Sequence, residues 1–379
     1  MKNRVLMRFL GLACCSTFLV FAGCKKKDFP IGAFFPMSGS LAYYGNESRD
    51  GVVMAIEKIN AEGGLLGRNL VLICEDDRGS PEMAVNAFNK LVKKDKASFL
   101  IGSSISGPTM AVTNLAQQNK VILISPSATN VDVTKPGDYI FRACFIDSFQ
   151  GVVGAEFAYN VLGNRRAAVL FDIDGVYNTG LANSFKSYFT SLGGQIVANE
   201  VYNTGDTDYS AQVGRIKIAS PDVVYLPNYF NDVAVQSWQL RAEGIDCAFI
   251  GGDGWDGLID VAMYDVLNSY WSSGFASDTN DPWGMAFVRE FQARFNKPAS
   301  QFAALGYDAM MIVADGIRAA GTFRTSVVKE AMTKTSGNYV TGTIEFDSDR
   351  NPIKGAAINE IVKINGRLAN VYNMTVNPK

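Results

Sequence analysis

The sequence predicts an α/β protein built from two doubly wound parallel sheets, and two observations lead to this fold class. The chain has 379 residues, which is too long for one ordinary hydrophobic core and suits two compact lobes. Apolar runs of strand length alternate with amphipathic helical patterns, and the alternation occurs as two successive series. Strands and helices that alternate in this way form parallel sheets with helices on both faces.

The first series opens with a predicted strand at 31–35 and a predicted helix at 47–62, which ends at Gly63 and Gly64. The remaining elements predicted for this series are strands at 70–74, 98–101 and 121–124, and helices at 81–93 and after Pro108. Prolines at the start of the last two helices are tolerated, since a first helical turn needs no N–H there.

The second series repeats the pattern, with predicted strands at 167–171, 195–202, 223–226 and 249–250, and predicted helices at 179–192, 209–219 and 232–243. A long helix at 301–320 and strand-like runs at 339–346, 357–364 and 368–371 follow. These late elements must pack on lobes that are already formed, so we expect the chain to cross between the lobes several times.

Residues 1–23 have the pattern of a bacterial export signal. Basic residues precede an apolar stretch at 9–22, which is shorter than the roughly 20 residues of a membrane-spanning helix. The stretch ends just before Cys24 and resembles the lipobox of bacterial lipoproteins, in which that cysteine is lipidated. An ordinary signal peptide and a short membrane anchor are the alternatives. We expect a mature chain with a linker at 24–28, tethered by its lipid to a bacterial membrane in the periplasm or at the cell surface.

Composition argues against several classes of function. With 35 Lys and Arg against 37 Asp and Glu, the basic excess typical of nucleic-acid-binding proteins is missing. The chain has no histidine, which removes histidine-based catalytic triads and histidine-containing zinc sites. Cys74, Cys144 and Cys247 remain after the export signal, and their spacing fits neither a disulfide framework nor a metal site. We expect no catalytic residue, metal, cofactor or nucleic-acid partner.

Small hydroxyl residues follow two neighbouring predicted strands of the first series. The loop at 102–108 contains Ser106 before a helix, and the loop at 125–130 contains Ser127 and Thr129. Ligands of parallel sheets collect at the carboxyl ends of strands, and a helix N-terminus favours a carboxylate or phosphate. Ser106 as a plain helix cap is the alternative interpretation.

An acid and aromatic residues follow strands of the second series. Asp253 and Trp255 lie in a glycine-rich stretch at 251–255, and Tyr229 ends the preceding strand. Glycines let the backbone approach a ligand closely, and the acid adds a negative charge beside an apolar wall. A tight turn would explain the glycines but not the acid and the aromatic rings.

From residue 29 to about 371 the chain resembles the branched-chain amino-acid binding proteins of ABC importers. The motifs that carry this resemblance are Ile31-Gly32 leading to Pro36-Met37-Ser38-Gly39, Tyr44-Gly45, Ile59-Asn60-Ala61-Glu62-Gly63-Gly64, Asp76-Asp77, Ile101-Gly102 with Ser106, Ser125-Pro126, Thr129-Asn130, Arg142, Asp147-Ser148, Gln150-Gly151, Tyr177 and Gly180. The resemblance implies a type I periplasmic binding protein, whose two lobes are joined by three crossovers. It places the first lobe at 29–146 plus 275–348 and the second at 147–274 plus 349–379.

The resemblance also implies a ligand site between the lobes. It places the ligand's carboxylate at Ser106 and Thr129, and the ligand's ammonium at the carbonyl of Ser127, the hydroxyl of Thr129 and Asp253. Further residues are expected to flank the ligand or close the cleft: Tyr44, Tyr177, Tyr229 and Asp147, with Trp255 and Tyr307 less directly implied. Asp253 stands where the family usually has glutamate, and Trp255 is larger than its usual counterpart.

The expected function is that of a monomeric, lipid-anchored solute-binding protein that delivers a small amino acid to an ABC permease. An aromatic acid, an amide such as urea or a short peptide is an alternative ligand, which the aromatic residues motivate. A sensory protein that presents its ligand to a chemoreceptor is a further alternative. An enzyme is disfavoured, since no general base, nucleophile and oxyanion site can be assembled from these motifs.

Overall fold

A computed structural model describes residues 27–378, so the predicted export signal and Cys24 lie outside the described residues. The first part of the chain forms five strands and three helices: β1 (Phe29–Phe35), α1 (Ala42–Ala61), β2 (Leu70–Asp76), α2 (Pro81–Asn89, extended by a π-helical turn at Lys90–Lys94), β3 (Phe99–Gly102), α3 (Ser106–Asn119), β4 (Ile122–Ser125) and β5 (Ile140–Arg142). The strands form one parallel sheet in the order β2-β1-β3-β4-β5.

The middle of the chain forms most of a second sheet and its helices: α4 (Asp147–Glu156, extended by a π-helical turn at Phe157–Val161), β6 (Arg166–Asp172), α5 (Val176–Ser191), β7 (Gln195–Tyr202), α6 (Ser210–Ala219), β8 (Val223–Leu226), α7 (Phe230–Ala242), β9 (Ala248–Gly251), α8 (Leu258–Val261) and β10 (Ser269–Ser273). Short 3-10 turns at Asp253–Trp255 and Tyr264–Val266 flank α8.

The last part of the chain serves both sheets: α9 (Pro282–Phe295), α10 (Gln301–Ala320), α11 (Thr325–Met332), β11 (Ser336–Tyr339), β12 (Gly342–Glu345), β13 (Ala356–Ile364) and β14 (Arg367–Val376). Helices α9 to α11 and the β11–β12 hairpin share a hydrophobic core with the first sheet, whereas β13 and β14 complete the second. The chain therefore passes between the lobes after β5, after β10 and after β12. We call the two bodies the first lobe and the second lobe, after their sheets.

The second sheet is parallel only in part. Its order is β14-β13-β10-β9-β8-β6-β7, and the β10–β13 and β13–β14 pairs are antiparallel. The predicted doubly wound parallel sheet is confirmed for the rest of this sheet. The antiparallel edge arises because β13 enters from the other lobe and β14 returns through a short hairpin turn. The run at 339–346 is likewise a hairpin and not one strand.

Strand β1 shows why the first lobe is wound on both faces. Phe34 packs into the cluster beneath α2 and α3, whereas its neighbour Phe35 packs into the cluster formed with α1 and α10. Successive side chains of a strand point to opposite faces, so a strand that is apolar throughout needs a layer of helices on each side.

Helix α4 was not predicted because it carries two glycines, which weaken a helical pattern. The structure explains Gly151: a Cβ built at this position would lie 2.4 Å from Ser184 Cβ and 2.7 Å from the Phe185 backbone N of α5. Close packing of α4 on α5 therefore excludes a side chain there. Local propensity gives way to tertiary packing at this position.

No helix within residues 27–378 combines the length and the apolar character that crossing a membrane would require.

Helices α1 and α10 approach each other so closely that glycine is needed on both. A Cβ at Gly51 would lie 1.9 Å from Ala303 O, and one at Gly306 would lie 2.3 Å from Ser48 O. These distances are far below ordinary contact, and the obstructing atoms belong to the backbone. The crossing therefore fixes how the late helix α10 packs into the first lobe.

We expect Gly51→Ala to destabilise the protein by about 1–3 kcal/mol, because overpacking forces the two helix backbones apart. Gly214→Ala in α6 is the matched control, since nothing lies within 4 Å of the added Cβ. It should stabilise the protein by about 0.5–1 kcal/mol through helix propensity. Urea unfolding followed by circular dichroism measures both. Equal midpoints for the two variants would contradict the proposed packing.

Candidate functional site

A small cavity lies between the two lobes, at the ends of strands from both sheets. It is nearly filled by its own side chains, with about 10 Å³ accessible to the centre of a water-sized molecule. Its lining residues come from both lobes: Ser104, Ile105, Ser106, Ser127, Tyr177, Tyr229, Asp253, Gly254 and Phe302. Larger hollows occur on the protein surface, for example beside α11, but they do not collect the strand ends of the two sheets. The interlobe cavity is therefore the candidate site.

The first lobe presents a helix N-terminus to this cavity. Ser106 is the first residue of α3 and is only 2% exposed. The N-cap residue is Ile105, so the alternative in which Ser106 caps the helix is wrong. By their position in the first turn, the N–H groups of Ser106 and Gly107 have no intrahelical acceptor. This end of the helix favours an anion.

Buried hydroxyl groups surround that helix end. The Ser106 Oγ accepts a hydrogen bond from Asn130 N at 3.3 Å, and Ser127 Oγ donates to Ser104 O at 2.9 Å. Ser104 Oγ lies 2.7 Å from Ser48 Oγ of α1. These bonds hold the two predicted serine loops against each other. The first lobe therefore offers hydrogen-bond donors around a small, rigid concavity.

The second lobe presents a carboxylate to the same cavity. The Oδ1 atom of Asp253 accepts hydrogen bonds from Gln150 Nε2 and Tyr177 OH, each at 3.0 Å. Gln150 Oε1 also accepts from the Asp253 backbone N at 2.6 Å, which fixes the residue at both ends. Burial raises the pKa of Asp253 to about 6, although these two donors lower it in part. The arrangement is suited to binding a cation.

Aromatic rings form the apolar wall of the cavity. Tyr177 stacks on Tyr229, with ring centroids 5.1 Å apart. Phe302, at the start of α10, lines the opposite part of the wall and lies 4.4 Å from the Tyr44 ring. Tyr177 and Tyr229 are thus brought together at the cavity. Their rings can cover an apolar side chain of a ligand.

Tyr44 joins the lobes and does not line the cavity. Its OH donates to Gly254 O at 2.6 Å and accepts from Phe230 N at 3.2 Å, and both of these partners belong to the second lobe. Other bonds cross the same boundary: Asn130 Nδ2 to Val176 O at 2.8 Å, Asn231 Nδ2 to Ser40 O at 2.7 Å, and Tyr43 OH to Asp256 Oδ1 at 3.0 Å. The structure is therefore a closed form of the cleft.

Thr129 and Asp147 lie together behind the cavity lining. Thr129 is 1% exposed, and its carbonyl accepts from Asp147 N at 2.8 Å. Burial raises the pKa of Asp147 to about 8; the Thr129 hydroxyl and the more distant Arg142 lower it in part, and the negative charge of Asp253 adds to the rise. The Thr129 hydroxyl is nearby, yet no well-aligned hydrogen bond reaches either carboxylate oxygen.

Trp255 and Tyr307 are not brought to the cavity. The Trp255 indole is fully buried in the core of the second lobe, where Nε1 donates to Leu226 O at 2.9 Å. A Cβ on Gly251 would lie 2.0 Å from that indole, so the glycine makes room for the ring and not for a ligand. Tyr307 belongs to the core of the first lobe. The interpretation of Trp255 as a pocket wall is therefore not supported.

Some lining and supporting residues were not assigned to the site from the sequence, although Gln150 was among the family motifs: Ser104, Ile105, Gly254, Phe302 and Gln150. Ser104 and Ile105 adjoin Ser106, so the serine loop itself was a usable signal. No sequence signal marked Phe302, because it reaches the site only through the packing of α10, which forms after the chain has returned from the second lobe to the first. Gln150 acts through Asp253, more than one hundred residues away in sequence.

The described residues form neither a metal site nor a disulfide. Within residues 27–378, no group of three or more cysteine and acidic side chains is placed to hold a metal ion. Cys74, Cys144 and Cys247 are free thiols. Burial raises the pKa of Cys144 to about 12, which makes this thiol unreactive.

Comparison with known proteins agrees with this fold. The family model described as "Periplasmic binding protein" matches residues 28–365. The Leu/Ile/Val-binding protein BraC3 of Rhizobium johnstonii is 33% identical over 312 residues, which cover 80% of this chain and 83% of that protein.

Two solved structures are similar over nearly the whole chain. The leucine-binding protein LivK from Thermotoga maritima aligns with a TM-score of 0.87 and 31% identity, covering 92% of this chain and 99% of that one. The branched-chain amino-acid binding protein LivJ from Streptococcus pneumoniae, in complex with isoleucine, aligns with a TM-score of 0.85 and 32% identity, covering 93% and 100%. With the two-lobed architecture and the interlobe cavity described above, these matches show that the chain belongs to the periplasmic binding protein family, as a type I member of the branched-chain amino-acid substrate-binding proteins of ABC transporters.

Proposed function

We propose that this protein is the extracytoplasmic binding subunit of an ABC importer and that it binds one small amino acid with an apolar side chain between its lobes. The observation that carries the proposal is the distribution of charge around the cavity. A helix N-terminus and hydroxyls face it from the first lobe, and the carboxylate of Asp253 faces it from the second. Such an arrangement is complementary to an α-carboxylate and an α-ammonium group.

The roles of individual residues follow the family resemblance, and the cavity lining supports those of Ser106, Ser127, Tyr177, Tyr229 and Asp253. Ser106 holds the ligand's carboxylate together with the helix N–H groups and Thr129. The Ser127 carbonyl, the Thr129 hydroxyl and Asp253 hold its ammonium. Tyr177, Tyr229 and Phe302 cover its side chain. Asp147 contributes negative charge behind the ammonium position.

The cavity of the closed structure is nearly filled by its own lining, with only about 10 Å³ accessible to the centre of a water-sized molecule. The lobes must therefore separate to admit a ligand, and a single amino acid requires less separation than a peptide. BraC3 is a Leu/Ile/Val-binding protein by name, LivK is a leucine-binding protein, and LivJ is in complex with isoleucine, so these relatives support the same ligand class.

The cellular role follows from the same proposal. Cys24 anchors the mature chain to the membrane by a lipid, the monomer closes on its ligand, and the closed form delivers the amino acid to the transmembrane subunits of an ABC permease. Binding and release, not chemical conversion, are the activity. Radiolabelled palmitate incorporation that is lost in Cys24→Ala tests the anchor.

We expect the purified protein, freed of ligand by unfolding and refolding, to bind leucine, isoleucine or valine in isothermal titration calorimetry. Asp253→Asn should weaken the affinity at least about 30-fold, since losing one partner of a buried charge pair costs about 2 kcal/mol or more. Ser106→Ala should weaken it about 10-fold through a lost hydrogen bond.

Asp246→Asn is the control, because Asp246 is an exposed acid of the same lobe, outside the cavity lining. It should bind like the wild type. A protein that binds none of the twenty amino acids, or an Asp253→Asn variant with unchanged affinity, would refute the assignment.

Tyr44→Phe should weaken the apparent affinity about 5- to 30-fold, mainly by faster dissociation. The substitution removes the hydroxyl that bonds to Gly254 O and Phe230 N, so the closed form loses about 1–2 kcal/mol. Stopped-flow tyrosine fluorescence measures the dissociation rate. Tyr264→Phe, which loses a similar bond to Gly366 O within the second lobe, should leave that rate unchanged. Equal effects of the two variants would mean that Tyr44 does not hold the cleft closed.

A further inference from the structure

Asp147 is a buried acid that lacks the partners such a group normally has. The residue is 1% exposed, and neither of its carboxylate oxygens has a hydrogen-bond partner in the part of the chain that the structure describes. Gly180 of α5 leaves room for it: a Cβ there would lie 3.2 Å from Asp147 Oδ2 and 3.3 Å from Asn130 Nδ2. An ionised carboxylate in this position would be strongly destabilised.

The nearby cation does not neutralise it. Arg142 is fully buried, and its Nη1 donates to Ala128 O at 2.8 Å. Its Nε and Nη2 atoms have no partner among residues 27–378, and it forms no ion pair with Asp147 there. The charged and titratable groups that act on Asp147 from the surrounding elements are all largely buried: Arg142, Cys144, Tyr177, Tyr225, Tyr229 and Asp253.

Asp147 and Asp253 differ in their surroundings. Asp253 has two donors on Oδ1, Gln150 Nε2 and Tyr177 OH, which favour its ionised form. Asp147 has only the Thr129 hydroxyl nearby, which makes no well-aligned hydrogen bond, and its charge is repelled by that of Asp253. When the two acids hold one proton between them, that proton therefore resides on Asp147.

We propose that Asp147 makes the cleft specific for ligands with an ammonium group by carrying a proton in the empty cleft and releasing it to solvent when the ammonium enters. This inference rests on the proposed function and names a second acid that determines its specificity. The ammonium supplies the positive charge that lets both carboxylates ionise in a low-dielectric site. A ligand without an ammonium group leaves Asp147 protonated and gains no binding free energy from this residue.

The raised pKa values of the two acids support a proton on Asp147 in the empty cleft. The pKa of Asp147 is raised to about 8 and that of Asp253 to about 6, in both cases mainly by burial. At pH 7 the empty cleft therefore holds one proton on Asp147, while Asp253 is largely ionised. Proton release makes the affinity for an amino acid rise with pH from 6 to 8, by up to tenfold per unit.

The test is isothermal titration calorimetry of the purified protein with L-leucine at pH 7, in phosphate, HEPES and Tris. These buffers differ in their enthalpies of ionisation. The slope of the observed binding enthalpy against the ionisation enthalpy of the buffer gives the number of protons released per ligand bound. We expect about one proton at pH 7 and a value that falls towards zero above pH 9. Asp147→Asn should bind leucine more weakly and release almost none. Asp246→Asn should match the wild type.

Each outcome separates the two proposals. Leucine binding with the same enthalpy in every buffer overturns the role of Asp147 and leaves the proposed function standing. Wild-type release that persists in Asp147→Asn overturns the assignment of the proton to this residue. Failure of every amino acid to bind overturns the proposed function and this inference with it. Because the wild-type buffer series needs no variant, a poorly folding Asp147→Asn would not remove the test.

Asp147 should also make the stability of the ligand-free protein depend on pH. An unfolded aspartate has a pKa near 3.9, and folding raises that of Asp147 to about 8. Between these values the folded state holds a proton that the unfolded chain has lost, so stability falls as pH rises from about 4 to about 8 and then levels off.

We expect the urea midpoint of the ligand-free wild type to be lower at pH 8 than at pH 5. Asp77 and Asp256, with pKa values raised by burial to about 6 and about 7, act in the same direction. Asp147→Asn should therefore reduce the fall without abolishing it, whereas Asp246→Asn should leave it as in the wild type. An undiminished fall in Asp147→Asn would show that Asp147 is not protonated in the folded protein.

Discussion

The burial of two carboxylates at one interlobe boundary is the constraint around which this molecule is organised. Asp253 and Asp147 are nearly inaccessible, and no cation pairs with either in the described residues. An isolated buried charge costs several kcal/mol even after relaxation. Gln150 and Tyr177 offset part of that cost for Asp253 alone. The closed cleft is therefore electrostatically incomplete until a proton or a ligand cation supplies the missing charge.

Parallel-sheet geometry explains why the opposite charges of the site come from different lobes. In the first lobe the strand ends lead into α3, whose N-terminus offers donors. In the second lobe the end of β9 leads into the turn that carries Asp253. The carboxylate of Asp253 comes from the second lobe alone, so the proposed site is complete only when the two lobes meet. The interlobe bonds of Tyr44, Asn130 and Asn231 form only when the two halves meet, which couples binding to closure.

Much of the fold could be predicted because apolar residues recur in the sequence at strand or helix spacing wherever one face of an element is buried. The central strands of both sheets and α10 were predicted in this way. Strand β10 was missed because three of its five residues are serines, and α4 because packing on α5 requires glycine at 151. The glycines beside Trp255 were taken for a ligand approach, but Gly251 accommodates the indole in the core. Local sequence shows that a side chain is absent, not which neighbour fills the space.

The balance between the closing bonds and the buried acids decides whether an empty cleft stays closed. Each interlobe hydrogen bond contributes about 1 kcal/mol, so the few described here together contribute a few kcal/mol. An ionised, unpartnered Asp147 costs a comparable amount in the closed form, because opening would return it to water. On the proposal made above, the closed empty cleft avoids this cost at pH 7 because Asp147 keeps its proton, and the cost appears as the pH rises above about 8. In the proposed binding mode, an ammonium group offsets the cost of both carboxylates and leaves the closing bonds unopposed, so closure would follow from the ligand's charge as well as from its contacts.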